Sequence, residues 1–198
     1  MRRRLFVAIN LPFEVRARLA GVTEPLAPLF PEARWTRPED MHITISFLGY
    51  QEDAAIPTIM DALRAAAGEA SPPEIAFIKI IGGPPGNTPR MLWLVGDEKT
   101  DRRLAVLKAA VERELGERGI CFDRPASYRR GKEEFRKFHT HVTLVRFNTN
   151  DVESKIHRVP ISIDCGVQFV AEAFYLMEST LKRTGAEYTR LQAFAFEK

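Results

Sequence analysis

One pattern, His-x-Thr followed by an aliphatic residue, occurs twice in the chain, as His42-Ile43-Thr44-Ile45 and His141-Val142-Thr143-Leu144. Each copy lies in a β-prone run, 41–48 and 138–147. Because side chains alternate between the two faces of a strand, each His and its Thr project to one side, and the aliphatic residues project to the other. The repeat therefore predicts two motif strands, each with an apolar face in a core and a polar face directed at a shared site.

The segments around the two motifs predict the same order of elements in both halves. Each half begins with a predicted strand, at residues 4–11 and 90–95. In the first half a helix is predicted at 13–29 from the spacing of its apolar residues. In the second half a helix is predicted that is capped by Thr100 and Asp101 and ends near Gly119. Further predicted elements are a helix at 53–68 and strands at 74–81, 120–123, 160–164, 167–178 and 188–196. Both halves then contain a strand, a helix, a short strand and a motif strand. We expect a duplicated α+β unit, in which residues 1–198 form one bilobal domain with two antiparallel sheets flanked by helices around a central cleft.

Composition restricts the class of protein less than the repeated motif does. Lys and Arg exceed Asp and Glu by three and the sequence pI is about 9.0, a mild basic bias that is compatible with a phosphate-bearing partner. The two cysteines, Cys121 and Cys165, lack metal-type spacing, so we expect free core thiols in a reducing compartment. Residues 1–9 resemble the start of a signal peptide, but Asn10, Pro12 and Glu14 interrupt the apolar run. We expect a cytoplasmic, monomeric protein with no membrane segment.

Histidine is the side chain that exchanges protons most readily near neutral pH. We expect His42 and His141 to be catalytic, one taking a proton from an attacking water and the other giving a proton to a departing alkoxide, each role contributing a factor of about 10²–10⁴. Thr44 and Thr143 offer hydroxyl donors suited to the non-bridging oxygens of a phosphoryl group, and we expect them to bind substrate. This chemistry requires no metal and no cofactor.

A zinc site is the main alternative for the histidines. His139 and His141 share a strand face and could join His42 as three imidazole ligands, although the repeated Thr would then have no role. We interpret His157 as a structural histidine, and Trp35 and Trp93 as core residues. A zinc site would make activity dependent on the metal.

Arg146 follows the second motif and could neutralise phosphate charge with its fork of donors. Strict alternation places Arg146 on the face opposite His141 and Thr143, so it reaches the cleft only if the strand twists or ends there. The same alternation places Phe47 with Ile43 on the inward face and predicts that it packs in the core. Without such a twist, Arg146 is an ordinary surface arginine.

A basic segment, 124–137, precedes the second motif strand and contains aromatic residues among its charges. Such a segment could contact an RNA backbone and its bases. A solvated loop is an equally good interpretation. Affinity for longer RNA would distinguish the two.

The chain resembles the 2H phosphoesterase superfamily, and within it the RNA 2′,3′-cyclic phosphodiesterases, also called 2′-5′ RNA ligases. The resemblance covers nearly the whole chain and rests on residues 5–9, 38–49, 92–94, 141–146 and 176–179. It implies a bilobal fold and metal-independent hydrolysis of a terminal 2′,3′-cyclic phosphate to a 2′-phosphate, on RNA ends or small cyclic nucleotides. It also implies that His42 protonates the leaving 3′ oxygen while His141 activates water. Members of this family usually have Pro directly before the second motif, where this chain has Thr140.

Two other functions fit the same residues. The reverse transesterification, in which a 5′ hydroxyl replaces water, would make the protein a 2′-5′ RNA ligase. A non-catalytic RNA-binding module would keep the fold without turnover. Hydrolysis of a small cyclic nucleotide distinguishes the enzyme from the module.

Overall fold

The computed structural model describes residues 1–84, 89–122, 138–147, 162–182 and 185–197. These ranges contain two antiparallel sheets and three α-helices, which is the predicted α+β class. The strands are β1 (Arg2–Asn10), β2 (Arg34–Trp35), β3 (His42–Glu52), β4 (Glu74–Gly83), β5 (Met91–Gly96), β6 (His141–Arg146), β7 (Ser162–Val170), β8 (Ala173–Lys182) and β9 (Gly185–Ala195). The helices are α1 (Phe13–Thr23), α2 (Ile56–Glu69) and α3 (Glu98–Glu117).

Each of the two sheets contains strands from both halves of the chain. The first sheet has the order β3-β1-β8-β9 and the second has the order β2-β6-β5-β4-β7. Each motif strand lies beside the opening strand of its own half, β3 beside β1 and β6 beside β5. The predicted repeat of strand, helix and motif strand is therefore present, with one motif in each sheet.

The core fills the space between the sheets and the helices. Leu5, Val7 and Ile9 of β1 are fully buried and belong to the same apolar cluster as residues of both sheets. Helices α2 and α3 pack against each other, and α3 also contacts β3 and β4. Their apolar stripes, such as Leu104 and Val111 on α3, are buried at this junction. Burying one such side chain contributes about 1.5–3 kcal/mol, and α3 thereby packs against one strand of each sheet, β3 and β4.

The start of α3 differs from the predicted one. The carboxylate of Asp97 caps the helix by accepting a hydrogen bond from the Thr100 backbone N–H at 2.7 Å, and this bond lowers the pKa of Asp97. The Thr100 hydroxyl instead accepts from the Ala76 N–H on β4 at 2.9 Å. Asp101 lies inside the first turn, where its carboxylate is available for another contact.

Other element boundaries also shift. The helix predicted at 13–29 ends as α-helix at Thr23 and continues as a 3₁₀ segment, Glu24–Leu29, because its prolines lack the N–H that an α-helix requires. The runs predicted at 160–164 and 167–178 are divided differently, into β7 and β8. No strand forms at residues 120–122. Cys121 is exposed, which contradicts its predicted core position, whereas Cys165 is buried; both thiols are free.

Some expectations concern residues outside the described ranges. The basic segment 124–137 and His157 belong to this group, and both remain predictions. None of the described helices has the length and apolar character needed to cross a membrane.

Candidate active site

The two motif strands bring their histidines to the same region of the molecule. His42 is the first residue of β3 and His141 is the first residue of β6, and the two strands contact each other. His42, Thr44, His141 and Thr143 are half-buried, whereas the intervening aliphatic residues of both motifs are buried. Within each motif the predicted alternation of faces is therefore present.

The same backbone contact orients both imidazoles. Nδ1 of His42 lies 2.7 Å from the carbonyl oxygen of Asp40, and Nδ1 of His141 lies 2.9 Å from the carbonyl oxygen of His139. A carbonyl can only accept, so Nδ1 carries the hydrogen in each ring. Nε2 is then the nitrogen that can take up or give a proton to a substrate in both copies.

Aromatic side chains pack against each imidazole. The ring of Trp93, on β5, stacks on His141 with 4.1 Å between centroids and 27° between planes. Tyr188, on β9, meets His42 edge-on at 4.9 Å, and Phe6 lies 5.1 Å from it. Trp93 is half-buried beside His141 and belongs to neither apolar cluster of the described residues, so the prediction that it is a core residue was wrong. It forms part of the wall of the site.

Burial and charge lower the pKa of both histidines. Burial is the largest cause at His42 and at His141, because it penalises the charged imidazolium. The positive charge of Arg146 lowers the pKa of each further, whereas their carbonyl partners oppose the shift. One arginine therefore acts electrostatically on both imidazoles.

A β-bulge in the second motif strand returns Arg146 to the side of the histidines. Trp93 of β5 pairs with Thr143, and Leu92 pairs with Val145, so Leu144 is an extra residue on β6. Leu144 and Val145 are both buried, and Arg146 is exposed opposite Met91. The prediction from strict alternation, which placed Arg146 on the opposite face, was wrong because it could not include the bulge.

The first motif strand has a bulge at the equivalent position. Ala8 of β1 pairs with Thr44 and Val7 pairs with Ser46, which leaves Ile45 as the extra residue. Phe47 then lies opposite Phe6, on the same face as His42, and is 52% exposed. The prediction that Phe47 packs in the core was therefore wrong. Phe47 and Arg146 occupy equivalent positions after the two motifs.

A pocket of about 250 Å³ adjoins His42. It is formed by the first sheet and by the segment before β3, and it is lined by Asn10, Arg37, Glu39, Asp40, His42, Met177, Tyr188 and Arg190. Tyr188 and Arg190 were not predicted from the sequence, because β9 carries no motif and lies far from His42 in the chain. Met177 falls in the run 176–179 that supports the family resemblance, but no role at the site was predicted for it. The pocket offers aromatic, sulfur and guanidinium groups beside a proton donor or acceptor.

The three-histidine zinc site is not formed by the described side chains. Nδ1 of His139 lies 3.6 Å from a carboxylate oxygen of Asp101, and its side chain is 68% exposed. In the ranges that the structure describes, no three His, Cys, Asp or Glu side chains come close enough together to hold a metal ion. The described geometry places His42 and His141, but not His139, in the candidate site.

Known proteins resemble this chain in sequence and in fold. The model of the LigT-like phosphoesterase family matches residues 9–93. An RNA 2′,3′-cyclic phosphodiesterase of Thermus thermophilus is 31% identical, over 97% of this chain and 89% of its own length. One of Thermotoga maritima is 29% identical, over 98% and 96%.

Solved structures of similar proteins have the same fold as this chain. A crystal structure of a Thermus thermophilus protein superposes with a TM-score of 0.73 at 29% identity, covering 98% of this chain and 97% of the other. A crystal structure of E. coli LigT complexed with 3′-AMP superposes with a TM-score of 0.67 at 26% identity, covering 100% and 99%. With its two His-x-Thr strands and these relatives, the chain belongs to the LigT-like phosphoesterases of the 2H superfamily, the family of the RNA 2′,3′-cyclic phosphodiesterases.

Proposed function

We propose that the protein hydrolyses RNA-terminal 2′,3′-cyclic phosphate to a 2′-phosphate, with His42 and His141 as the proton-transferring pair. One observation carries this proposal. Two imidazoles on equivalent strands are each held through Nδ1 by a backbone carbonyl, and each therefore has Nε2 for proton transfer. The relatives named RNA 2′,3′-cyclic phosphodiesterase support the substrate class.

The reaction needs one neutral and one protonated imidazole. Nε2 of neutral His141 takes a proton from water as the water oxygen bonds to phosphorus. The bond between phosphorus and O3′ breaks, and Nε2 of protonated His42 gives its proton to O3′. The products are a 2′-phosphate and a 3′-hydroxyl. The two histidines have then exchanged protonation states, and proton exchange with solvent restores them.

The pocket supports the assignment of His42 as the acid. A nucleoside is attached to the leaving oxygen, so it must lie on the side of the histidine that protonates that oxygen. The described pocket adjoins His42 and offers Tyr188 and Met177 as apolar walls. The water that His141 activates lies on the opposite side of phosphorus.

Three further side chains are suited to the phosphoryl group. The hydroxyls of Thr44 and Thr143 lie on the histidine face of each strand and can donate to the two non-bridging oxygens. The guanidinium of Arg146, on the same face of β6, can offset negative charge as the phosphorane-like transition state forms. Because β2 pairs with β6 and β8 pairs with β1, we also propose that residues 1–198 work as one bilobal unit.

The test is a set of purified His42→Ala, His141→Ala and double variants assayed on 2′,3′-cyclic AMP and on cyclic-phosphate-ended RNA. Each single variant should lose about 10²–10⁴-fold in kcat, and the double variant should lose little more, because both groups act in one step. Urea unfolding of each variant should show an intact fold. Substantial turnover by either folded single variant contradicts the assignment.

The same assay separates the other functions. RNA binding without turnover in the wild-type protein, unaffected by either substitution, would identify a binding module. Faster joining of a 5′-hydroxyl RNA than hydrolysis would identify a ligase. His139→Ala serves as the matched control, since its ring faces Asp101, and its activity should match the wild type.

A further inference from the structure

The pocket beside His42 is lined by residues of the first sheet and of the segment before β3, and His141 is not among them. Tyr188 and Met177 lie on neighbouring strands, and the ring of Phe6 lies 5.5 Å from that of Tyr188. This face of the sheet carries a small apolar cluster of Phe6, Ala8 and Met177, separate from the main core, with Tyr175 and Tyr188 packed against it. The surface leading from the histidine is therefore aromatic.

Two arginines line the pocket, and their electrostatic surroundings differ. Nε of Arg37 lies 2.7 Å from a carboxylate oxygen of Asp40 and 3.5 Å from one of Glu39, so its charge is already compensated. Arg190 lies opposite Met177 on β9, and its guanidinium carbon is 5.8 Å from the centroid of the Tyr175 ring. It is exposed and forms no ion pair with any residue in the described part of the chain. Arg190 is thus the guanidinium that can accept an anion.

The proposed reaction determines where the rest of an RNA strand must run. O3′ of the terminal ribose meets His42, so the strand leaves that ribose through its 5′ carbon on the pocket side. The pocket, at about 250 Å³, is smaller than sites that enclose a drug-sized ligand, which are typically about 300–1,000 Å³. It can hold the terminal nucleoside, but the preceding phosphodiester must lie at its rim.

We propose that Arg190 binds the phosphodiester on the 5′ side of the terminal nucleoside. This inference rests on the proposed function and adds a second anion subsite to it. The Tyr175 ring supports the guanidinium before substrate arrives, which reduces the conformational entropy lost on binding. Cyclic-phosphate ends of oligonucleotides then bind better than a cyclic mononucleotide, because only the former carry that phosphodiester.

The experiment compares wild type and Arg190→Gln on two substrates, 2′,3′-cyclic AMP and the dinucleotide ApA ending in a 2′,3′-cyclic phosphate. For the dinucleotide, kcat/KM should fall about tenfold in the variant, the size of one charge-assisted hydrogen bond. For the mononucleotide, which lacks the internal phosphodiester, the fall in kcat/KM should be much smaller. Arg2→Gln is the matched control, since Arg2 is exposed at the far end of β1, paired with Glu52, and its loss changes the net charge equally.

A chemical change in the substrate completes the test. When the internal phosphodiester is replaced by an uncharged methylphosphonate, kcat/KM of the wild type should fall about tenfold, whereas kcat/KM of Arg190→Gln should not fall further. Equal losses in the two proteins, equal losses on both substrates, or no loss on the dinucleotide would overturn the subsite. Wild-type turnover of the cyclic mononucleotide tests the proposed function separately, because that substrate carries no internal phosphodiester for Arg190 to bind.

Discussion

The carboxylate of Asp101 accepts a hydrogen bond from the backbone N–H of Thr140 at 2.7 Å, directly before His141. Asp101 is 8% exposed, in the first turn of α3, and the Thr140 carbonyl accepts from the Gly96 N–H at 3.0 Å. The residue before Thr140 supplies the carbonyl that holds Nδ1 of His141. Helix α3 therefore positions this imidazole through the backbone.

We expect Asp101→Ala and Thr140→Pro to be coupled. Asp101→Ala leaves a buried N–H without a partner and should lower the free energy of unfolding by about 1–3 kcal/mol. Thr140→Pro alone should also destabilise, because the proline Cδ would clash with the carboxylate. In the double variant the N–H of residue 140 is absent and the Asp101 carboxylate no longer occupies the space next to the proline ring. Its loss in the free energy of unfolding should therefore be smaller than the sum of the two single losses. Urea unfolding and kcat measure this coupling; strictly additive losses would contradict it, and Asp101→Asn, which keeps an acceptor oxygen, is the control.

The stacked pair Trp93 and His141 allows a direct measurement of the imidazole pKa. The chain has two tryptophans, so Trp35→Phe leaves Trp93 as the one reporter. Protonation of the stacked ring should change its fluorescence, and because burial lowers the pKa of His141, the midpoint should lie below the ordinary value of about 6.5. His141→Gln in the same background should abolish the transition. A midpoint at or above the ordinary value would be inconsistent with the burial of this ring.

Arg146→Gln should move the pH profile in a defined direction. The positive charge of Arg146 disfavours the protonated form of both His42 and His141, so its removal raises the pKa of each. With one histidine as base and the other as acid, both limbs of kcat/KM against pH should shift to higher pH. A fall in activity with unmoved limbs would show that Arg146 acts on the substrate alone.

Much of this site follows from the sequence, because the features that define it are local. The alternation of His42 and Thr44 against Ile43 needs only a strand, and the second copy fixes a second strand. The sheets around them were also predicted in class and approximate extent. Helix α1 was predicted too long because its prolines permit a 3₁₀ continuation.

What the sequence could not provide is strand register. A bulge depends on how a strand pairs with its neighbour, and the extra residues Ile45 and Leu144 have no distinguishing chemistry of their own. The adjacent aliphatic pair Leu144 and Val145 was the available signal, and it is equally consistent with a strand end. The position of Arg190 near His42 depends on two strand pairings, β9 with β8 and β8 with β1. The second of these joins opposite ends of the chain.

Removal of metal ions should leave the activity unchanged. The proposed proton transfers use only imidazole nitrogens, and the described side chains do not bring three metal ligands together. The measurement is turnover of 2′,3′-cyclic AMP after exhaustive chelation, with and without added zinc. Activity that is lost on chelation and restored by zinc would make the imidazoles metal ligands.

Gly83 provides a last test of how firmly Trp93 must be held behind His141. A Cβ at Gly83 would lie 2.4 Å from the Trp93 ring, closer than atoms can approach, so Gly83→Ala must displace the ring. We expect a loss of about 1–3 kcal/mol in the free energy of unfolding, as for other overpacked sites, together with a lower kcat.

Gly116→Ala on α3 is the matched control, since a Cβ there meets no atom within 4 Å. Adding Trp93→Leu to Gly83→Ala should recover stability but not kcat, because the smaller side chain fits and the stacking partner of His141 is lost. Full recovery of both would show that the indole has only a packing role.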